Sequence, residues 1–332
     1  MKAVVMTGAG EPDVLQLQEI PEPKLTGLRE LLIRVRAAGV NPIDTKLRKR
    51  GSFYPDRTPT VLGCDGAGIV EAVGSESRLF RVGDEVYFCQ GGLGGFQGNY
   101  AEYAVVDERF VSHKPNSLSF EQAAAVPLVL ITAWEALFDR GRLEAGRQVL
   151  IQAGAGGVGH VAIQLAKLAG VSVCTTVSSA EKAEFAAGLG ADEVIRYTET
   201  DVVAAVHRWT QGEGVDLAFD TVGGAVLSQC FQATKIYGDV VTLLAPAADT
   251  DWKPARDRNL RFSFELMLTP LLKNLVQAQQ DQAKILQQSA RLIDQQKLRV
   301  HVSHLLPLAE AATAHRLIEQ GGMMGKVVLT VA

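Results

Sequence analysis

One stretch constrains this chain more than any other. In QVLIQAGAGGVGHVAIQLAKLAG (148–170) a hydrophobic strand runs directly into Gly154-x-Gly156-x-x-Gly159, and an apolar-periodic helix follows. A lone G-x-G-x-x-G is a weak signal, but strand before and helix after is the setting of a dinucleotide-binding turn. Gly154 permits the tight turn, Gly156 lets the backbone approach a pyrophosphate, and Gly159 lets the helix pack closely on the strand. Gly157 and Val158 complete the turn, and the helix N-terminus adds unpaired N–H groups and positive dipole. The alternative is a glycine-rich strand–helix turn with no ligand, and the surrounding βα units argue against it.

Those units alternate regularly. Gln148–Gln152, Val171–Val177, Glu193–Arg196, Leu217–Asp220 and Asp239–Leu243 read as strands, with Leu260–Leu266 as a last one. Between them Gly157–Leu168, Ala180–Leu189, Val202–Thr210 and Ala225–Ala233 read as helices. Such alternation implies right-handed crossovers and a doubly wound parallel sheet. Upstream, Lys2–Met6, Glu30–Ala37, Gly68–Val73, Glu85–Phe88 and Ala101–Val106 read as strands broken by Gly and Pro clusters, a β-rich domain. Ser119–Gln122 carries a helix-start signal for a buried helix running to about Arg140. Residues 271–297 read as one long helix with an apolar stripe from Leu272 to Ile293 and eight Gln on its solvated faces. Arg299–His304 and Lys326–Val331 read as strands around a helix at Leu308–Gln320. The expected class is α/β.

Composition removes several functions. At 332 residues two domains are expected, and 47% hydrophobic with 21% charged residues suits a globular chain. A net charge of −4 offers no basic surface for nucleic acid. The longest apolar run, Ala123–Trp134, contains Pro127 and falls short of the roughly 18 residues of a membrane span. Cys64, Cys89, Cys174 and Cys230 form no C-x-x-C pair, so neither a zinc ribbon nor a disulfide framework is expected. The opening MKAVVMTGAG lacks a charged segment leading into an apolar one, and a reduced, cytoplasmic setting is expected.

The second strand decides between dinucleotides. An acid at its end would bind a 2′-hydroxyl and repel a 2′-phosphate. Here it ends Thr175-Thr176-Val177-Ser178-Ser179, with no acid before Glu181. Ser178, Ser179 and Lys182, with Tyr197 past the third strand, favour a phosphate and hence NADPH. Alternatively Ser178 and Ser179 only cap a helix and Lys182 is solvated.

MKAVV, AAGVNPIDTKLR (37–48), VLGCDGAGIVEAVG (61–74), VGDEV (82–86), AGAGGVG (153–159), FDTVGG (219–224) and GKVVL (325–329) follow in one order. This order resembles the medium-chain dehydrogenase/reductase superfamily, in its zinc-independent, zeta-crystallin-like quinone oxidoreductase branch, over essentially the whole length. The resemblance implies a GroES-like β domain over 1–125, completed by 268–332, beside a Rossmann NADPH-binding domain over 126–267, with the active site in the cleft between. It also implies a homodimer. The last strand, LRFSFELML (260–268), is long, apolar on both faces and in need of a partner.

By the same resemblance, zinc-dependent relatives have Cys where Asn41 stands and usually His where Cys64 stands, so no metal is expected. Without a Lewis acid to stabilise an alkoxide, the implied chemistry is hydride transfer to a small electron-poor acceptor, a quinone or an activated alkene. An enone or alkenal reductase is the alternative, and a non-catalytic NADPH-binding protein another. The resemblance implies that Asn41 hydrogen-bonds the acceptor oxygen or the nicotinamide ribose; alternatively it caps the turn that Asn-Pro begins. Asp44 is implied to orient its neighbours, Thr132 to lie near the nicotinamide, and Lys326 to reach the cofactor. Lys46 stands where close quinone reductases often have Tyr. Thr221, Val222, Leu243, Leu244 and Ala245 follow strands four and five, at the ends where doubly wound sheets bind ligands. No histidine sits in a triad motif, and His301 and His304 read as surface residues.

Overall fold

Eleven residues from Glu30 to Val40 organise the first part of the chain. Leu31, Ile33, Val35 and Ala37 are buried and the residues between them half-buried, so one face of the strand lies on a core. In the computed structural model, which describes Met1–Ala332, the chain divides into two units. One comprises Met1–Leu128 with Leu268–Ala332, the other Val129–Met267.

The first unit contains β1 (Lys2–Met6), β2 (Leu15–Glu19), β3 (Glu30–Val40), α1 (Pro42–Arg50), β4 (Thr60–Val61), β5 (Asp65–Val73), β6 (Glu85–Cys89), β7 (Tyr103–Asp107), β8 (Val111–His113) and α2 (Phe120–Ala124). Helix α3 (Pro127–Trp134) leads into the second unit. There follow β9 (Gln148–Ile151), α4 (Gly159–Leu168), β10 (Ser172–Val177), α5 (Ala180–Gly188), β11 (Glu193–Arg196), α6 (Val202–Trp209), β12 (Val215–Asp220), α7 (Ala225–Ala233), β13 (Thr234–Thr242), α8 (Lys253–Asp257) and β14 (Arg261–Phe264). The chain then adds α9 (Thr269–Leu272), α10 (Val276–Asp294), β15 (Val302–Pro307), α11 (Ala311–Gln320) and β16 (Lys326–Thr330) to the first unit.

In the first unit a three-stranded sheet runs β2-β1-β4. A seven-stranded sheet runs β15-β16-β3-β5-β6-β8, with β7 also on β3. The C-terminal β16 pairs antiparallel with the end of β3, Val327 opposite Val40, so the last residues complete the sheet begun by the first. The second unit is a six-stranded parallel sheet in the order β11-β10-β9-β12-β13-β14. The reversal at central β9 is the switch point at which such sheets bind ligands. Its core includes Leu150, Cys174, Val206, Ala218, Cys230 and Phe231. No helix is long and apolar enough to cross a membrane, and all four cysteines are buried and free.

Several expectations need correction. The helix from Ser119 to Arg140 is three pieces: α2, capped by Ser119 and Gln122, then α3 beginning at Pro127, then a π-helical turn over Glu135–Arg140. Pro127 has no N–H to continue α2 and opens a new helix instead. The long helix begins only at Val276, because Asn274 takes a left-handed turn after α9. Its Gln279 and Gln282 are buried rather than solvated, and Gln279 accepts from Gln90 Nε2 at 3.1 Å. The last strand of the parallel sheet is four residues, not nine, and His301 and His304 are half-buried. Helix α1 was not read from the sequence at all, since its apolar positions are few.

Phe231 is fully buried, with Trp252 and Phe262 packed on its ring at 5.1 and 5.9 Å. Phe231→Ala should cost about 3–5 kcal/mol, measured as a lower urea midpoint of the second unit's transition; a loss below about 1 kcal/mol would mean that the site collapses without a cavity.

Candidate functional site

The parallel sheet gathers its candidate residues at the C-terminal ends of five strands, β9 to β13. After β9, Ala153 takes φ 52° and the chain turns through Gly154 and Gly156 into α4. The left-handed residue is thus Ala153, and Gly154 is required for a different reason than the turn. A Cβ on Gly154 would collide with the Thr175 hydroxyl of β10, and one on Gly159 with the Ala153 carbonyl. At Gly156 only that carbonyl lies near, 3.2 Å away, leaving its other side open. Gly157 and Val158 lead into the helix, which starts at Gly159. Two buried threonines lock the turn. Thr176 Oγ1 accepts from Ala153 N at 3.1 Å and donates to Gln152 Oε1 at 2.6 Å, while Thr175 Oγ1 donates to the Ile151 carbonyl at 2.6 Å.

At the end of β10, Ser179 caps α5 by accepting from Lys182 N at 3.3 Å, and Lys182 Nζ donates to Ser178 Oγ at 3.0 Å. Tyr197 N donates to the Val177 carbonyl at 3.1 Å, and its ring is exposed. Ser178, Ser179 and Lys182 follow β10 and Tyr197 follows neighbouring β11, so the four residues expected to face a 2′-phosphate lie at adjacent strand ends, with no carboxylate between Thr175 and Ala180. After β12, buried Asp220 organises both remaining loops. Its carboxylate accepts from Val222 N, Gly223 N and Thr242 Oγ1 at 2.8–2.9 Å, and its carbonyl from Leu243 N at 3.1 Å. Thr221 Oγ1 donates to the Gln152 carbonyl at 2.8 Å, and Leu244 N to Thr242 Oγ1 at 3.2 Å. Val222 and Ala245 are exposed beside them, and Thr132 is buried on α3.

The first unit builds a second constellation where β3, β5 and β16 meet. Asn41 follows β3, Asp65 opens β5 opposite Gly39, and Lys326 opens β16 beside the Val327–Val40 pair. A side chain at Gly39 would collide with the Ala124 carbonyl and crowd the Asp65 carboxylate. Asn41, Asp65 and Lys326 are all buried. The Asn41 carboxamide is held at both ends. Nδ2 donates to Asp65 Oδ2 at 2.9 Å, and Oδ1 accepts from the Lys326 ammonium. Lys326 Nζ also donates to the Val40 carbonyl at 3.1 Å and lies 3.6 Å from Asp65 Oδ2. Asp65 Oδ1 accepts from Leu128 N at 2.8 Å. Asn41 is the N-cap of α1 and forms a capping box with Asp44, whose Oδ2 accepts from Asn41 N at 2.8 Å and from the Tyr100 hydroxyl at 3.0 Å. Tyr100 in turn lies 3.4 Å from His315 Nε2.

Burial governs the ionisation of these groups. It lifts the Asp44 carboxyl to about 7 and pushes Asp65 upward against the opposing pull of Lys326. The Cys64 thiol is pushed well above its ordinary value by burial and by the Asp44 and Asp65 carboxylates. His315 is pushed down to about 3 by burial and the Arg48 charge, which leaves a neutral imidazole. Lys46 is exposed on α1.

Comparison with known proteins now bears on this geometry. Residues 27–116 match the alcohol dehydrogenase GroES-like domain family, and residues 189–329 the zinc-binding dehydrogenase family. A quinone oxidoreductase of Pseudomonas aeruginosa is 34% identical over 332 residues, covering 99% of each chain. The chain belongs to the quinone oxidoreductase branch of the medium-chain dehydrogenase/reductase superfamily. A chloroplastic NADPH-dependent alkenal/one oxidoreductase of Arabidopsis thaliana is 39% identical over 256 residues, covering 73% of this chain and 62% of that protein. The crystal structure of Escherichia coli quinone oxidoreductase complexed with NADPH superposes with a TM-score of 0.88 at 28% identity, covering all of both chains.

Membership in this branch makes the chain an oxidoreductase with a nicotinamide cofactor. The turn fits such a cofactor, since Gly156 is open where Gly154 and Gly159 are packed tight. The Asn41 constellation does not suit zinc. Its amide is engaged at both ends, its thiol resists ionisation, and it already contains an ammonium. Nor do three His, Cys, Asp or Glu side chains gather elsewhere in a metal-holding group.

Asp65, Tyr100, His315, Asp220 and Thr176 were not singled out from the sequence. Asp65 lies in the quoted VLGCDGAGIVEAVG, Asp220 in FDTVGG and Thr176 in the strand-end run Thr175–Ser179, whereas Tyr100 and His315 had no local signal.

Lifting the Asp44 carboxyl from 3.8 to about 7 means that folding favours its proton. That stabilisation is complete below the unfolded value of 3.8 and is lost as the pH rises through about 7. Asp44→Asn has no such proton. The stability of wild type relative to Asp44→Asn should therefore fall between these pH values, by at most about 1.4 kcal/mol per unit, and level off above them. Urea unfolding of both proteins at pH 5, 6 and 8 measures it, and a constant difference would contradict the burial account.

Proposed function

We propose NADPH-dependent reduction of quinones or other electron-poor acceptors by direct hydride transfer without zinc. The observation that carries this reading is the coexistence of an open dinucleotide turn with a metal-ligand position filled by an amide and an ammonium. Bound NADPH supplies the hydride. In this reading the Gly154–Gly159 turn, with Gly156, Gly157 and Val158, receives the pyrophosphate, and Ser178, Ser179, Lys182 and Tyr197 receive the 2′-phosphate. Thr221, Val222, Leu243, Leu244 and Ala245 line the dinucleotide, and Thr132 lies near the nicotinamide. Asn41 donates its second N–H to the acceptor oxygen, Asp44 holds the Asn41 backbone, and water supplies the proton.

An activated-alkene acceptor is the second reading, favoured by the 39% identity to the alkenal/one oxidoreductase. NADPH consumption against a panel of quinones, enones, aldehydes and alcohols separates them. Turnover of quinones ahead of enones supports the first reading, and the reverse order supports the second. Tight NADPH binding without turnover of any acceptor would leave only a binding role.

Cofactor choice rests on Lys182 and Ser178. A charge-assisted hydrogen bond to a 2′-phosphate is worth roughly 1.5–3 kcal/mol, and a half-exposed lysine belongs at or below the bottom of that range. Lys182→Ala should therefore weaken NADPH roughly tenfold in kcat/KM and leave NADH nearly unchanged. The preference should also shrink as salt rises. Equal losses with both cofactors would end the assignment.

We also propose a homodimer through the open edge of β14, beside which Phe264 and Leu266 are exposed. Light scattering at micromolar concentration should give twice the chain mass, and a monomer would contradict it.

A further inference from the structure

We propose that Lys326 is a positioning residue that does the electrostatic work of a metal ion, polarising the Asn41 carboxamide so that its free N–H becomes the electrophilic contact. The inference rests on the reading that Asn41 meets the acceptor oxygen. A carboxamide has two N–H donors and one carbonyl oxygen. In Asn41 one N–H goes to Asp65 and the oxygen takes the Lys326 ammonium, so one N–H remains without a partner.

The arrangement is asymmetric in a useful way. A cation on Oδ1 draws electron density out of the amide and strengthens its N–H groups as donors, an effect that grows in a dry interior. Asp65 fixes which N–H is turned inward, and so which is left. Gly39 and the start of β16 hold Asp65 and Lys326 on opposite ends of the amide, so it cannot flip without placing its NH₂ against an ammonium. A donor fixed before the reaction, aimed at oxygen that gains negative charge as hydride arrives, is the arrangement that lowers such barriers. The charged and titratable groups around Lys326 are Asp65 and Cys64 at the start of β5, and Asp44 on α1. Lys326 supplies their one nearby cation among these residues. The competing account makes Lys326 only the counter-ion of Asp65.

The test uses 4-nitrophenol, whose ionisation is visible by absorbance, as a probe of the acceptor site in the NADP⁺ complex. Lys326→Met alone strands the Asp65 carboxylate, so the informative variant is Asp65→Asn/Lys326→Met, with Lys326→Arg as the conservative one. In wild type, binding should lower the phenol pKa by at least about one unit, a tenfold change in its ionisation. The double variant should lose most of that shift, and Lys326→Arg should keep much of it. Reduction of enones should then fall at least about tenfold more than reduction of quinones, which need less help. No shift in wild type, or an equal shift in wild type and double variant, overturns the proposal. Asn41→Ala separates the two levels. If it keeps the shift, the assignment of Asn41 to the acceptor fails; if it loses the shift while the double variant keeps it, the role of Lys326 alone fails.

Discussion

A buried ammonium facing a buried carboxylate constrains much of the first unit. Lys326 and Asp65 lie 3.6 Å apart with almost no exposure. Removing two charges from water costs several kcal/mol, on the order of the whole stability of a domain, unless the remaining lone pairs and protons find partners. Here they do: the Val40 carbonyl and Asn41 Oδ1 for the ammonium, Leu128 N and Asn41 Nδ2 for the carboxylate. The pair and its partners come from the end of β3, the start of β5, the start of β16 and the first turn of α3, so the placement of all four is tied to one pair of charges. The Asn41 amide is the common bridge, fixed at both ends by the pair.

The second unit solves a different problem. Its parallel strands end in loops that must leave backbone N–H groups available, and such loops need internal fastening. Thr176 binds the backbone beyond neighbouring β9, Asp220 and Thr242 each hold the backbone of their own loop, and the two are joined to each other across β12 and β13. The glycines divide the labour. Gly154 and Gly159 bring strand and helix together, and Gly156 leaves the space their packing surrounds.

Legibility from sequence followed the range of the interactions. The nucleotide turn, the βα units and the Ser178–Lys182 pair are local, within a few residues of their partners, and the sequence displays them directly. Asn41 was legible as a residue, but not its side-chain partners Asp65 and Lys326, which lie 24 and 285 positions away. Tyr100 and His315 meet across 215 positions and carry no local mark. The long C-terminal helix was misread for a related reason. Gln279 and Gln282 have a polar type and a buried position, reconciled for Gln279 by a distant partner, Gln90. Boundaries failed where a single residue changed the backbone, as Pro127 and Asn274 did.

The central claim is hydride transfer to an electron-poor acceptor with an amide, not a metal, at the electrophilic position. The most direct measurement follows deuterium from C4-labelled NADPH into an enone product, using protein stripped of metal by chelation. The account predicts deuterium on the β-carbon of the product, at an unchanged rate, with zinc addition making no difference. Loss of turnover on stripping, restored by stoichiometric zinc, would contradict it.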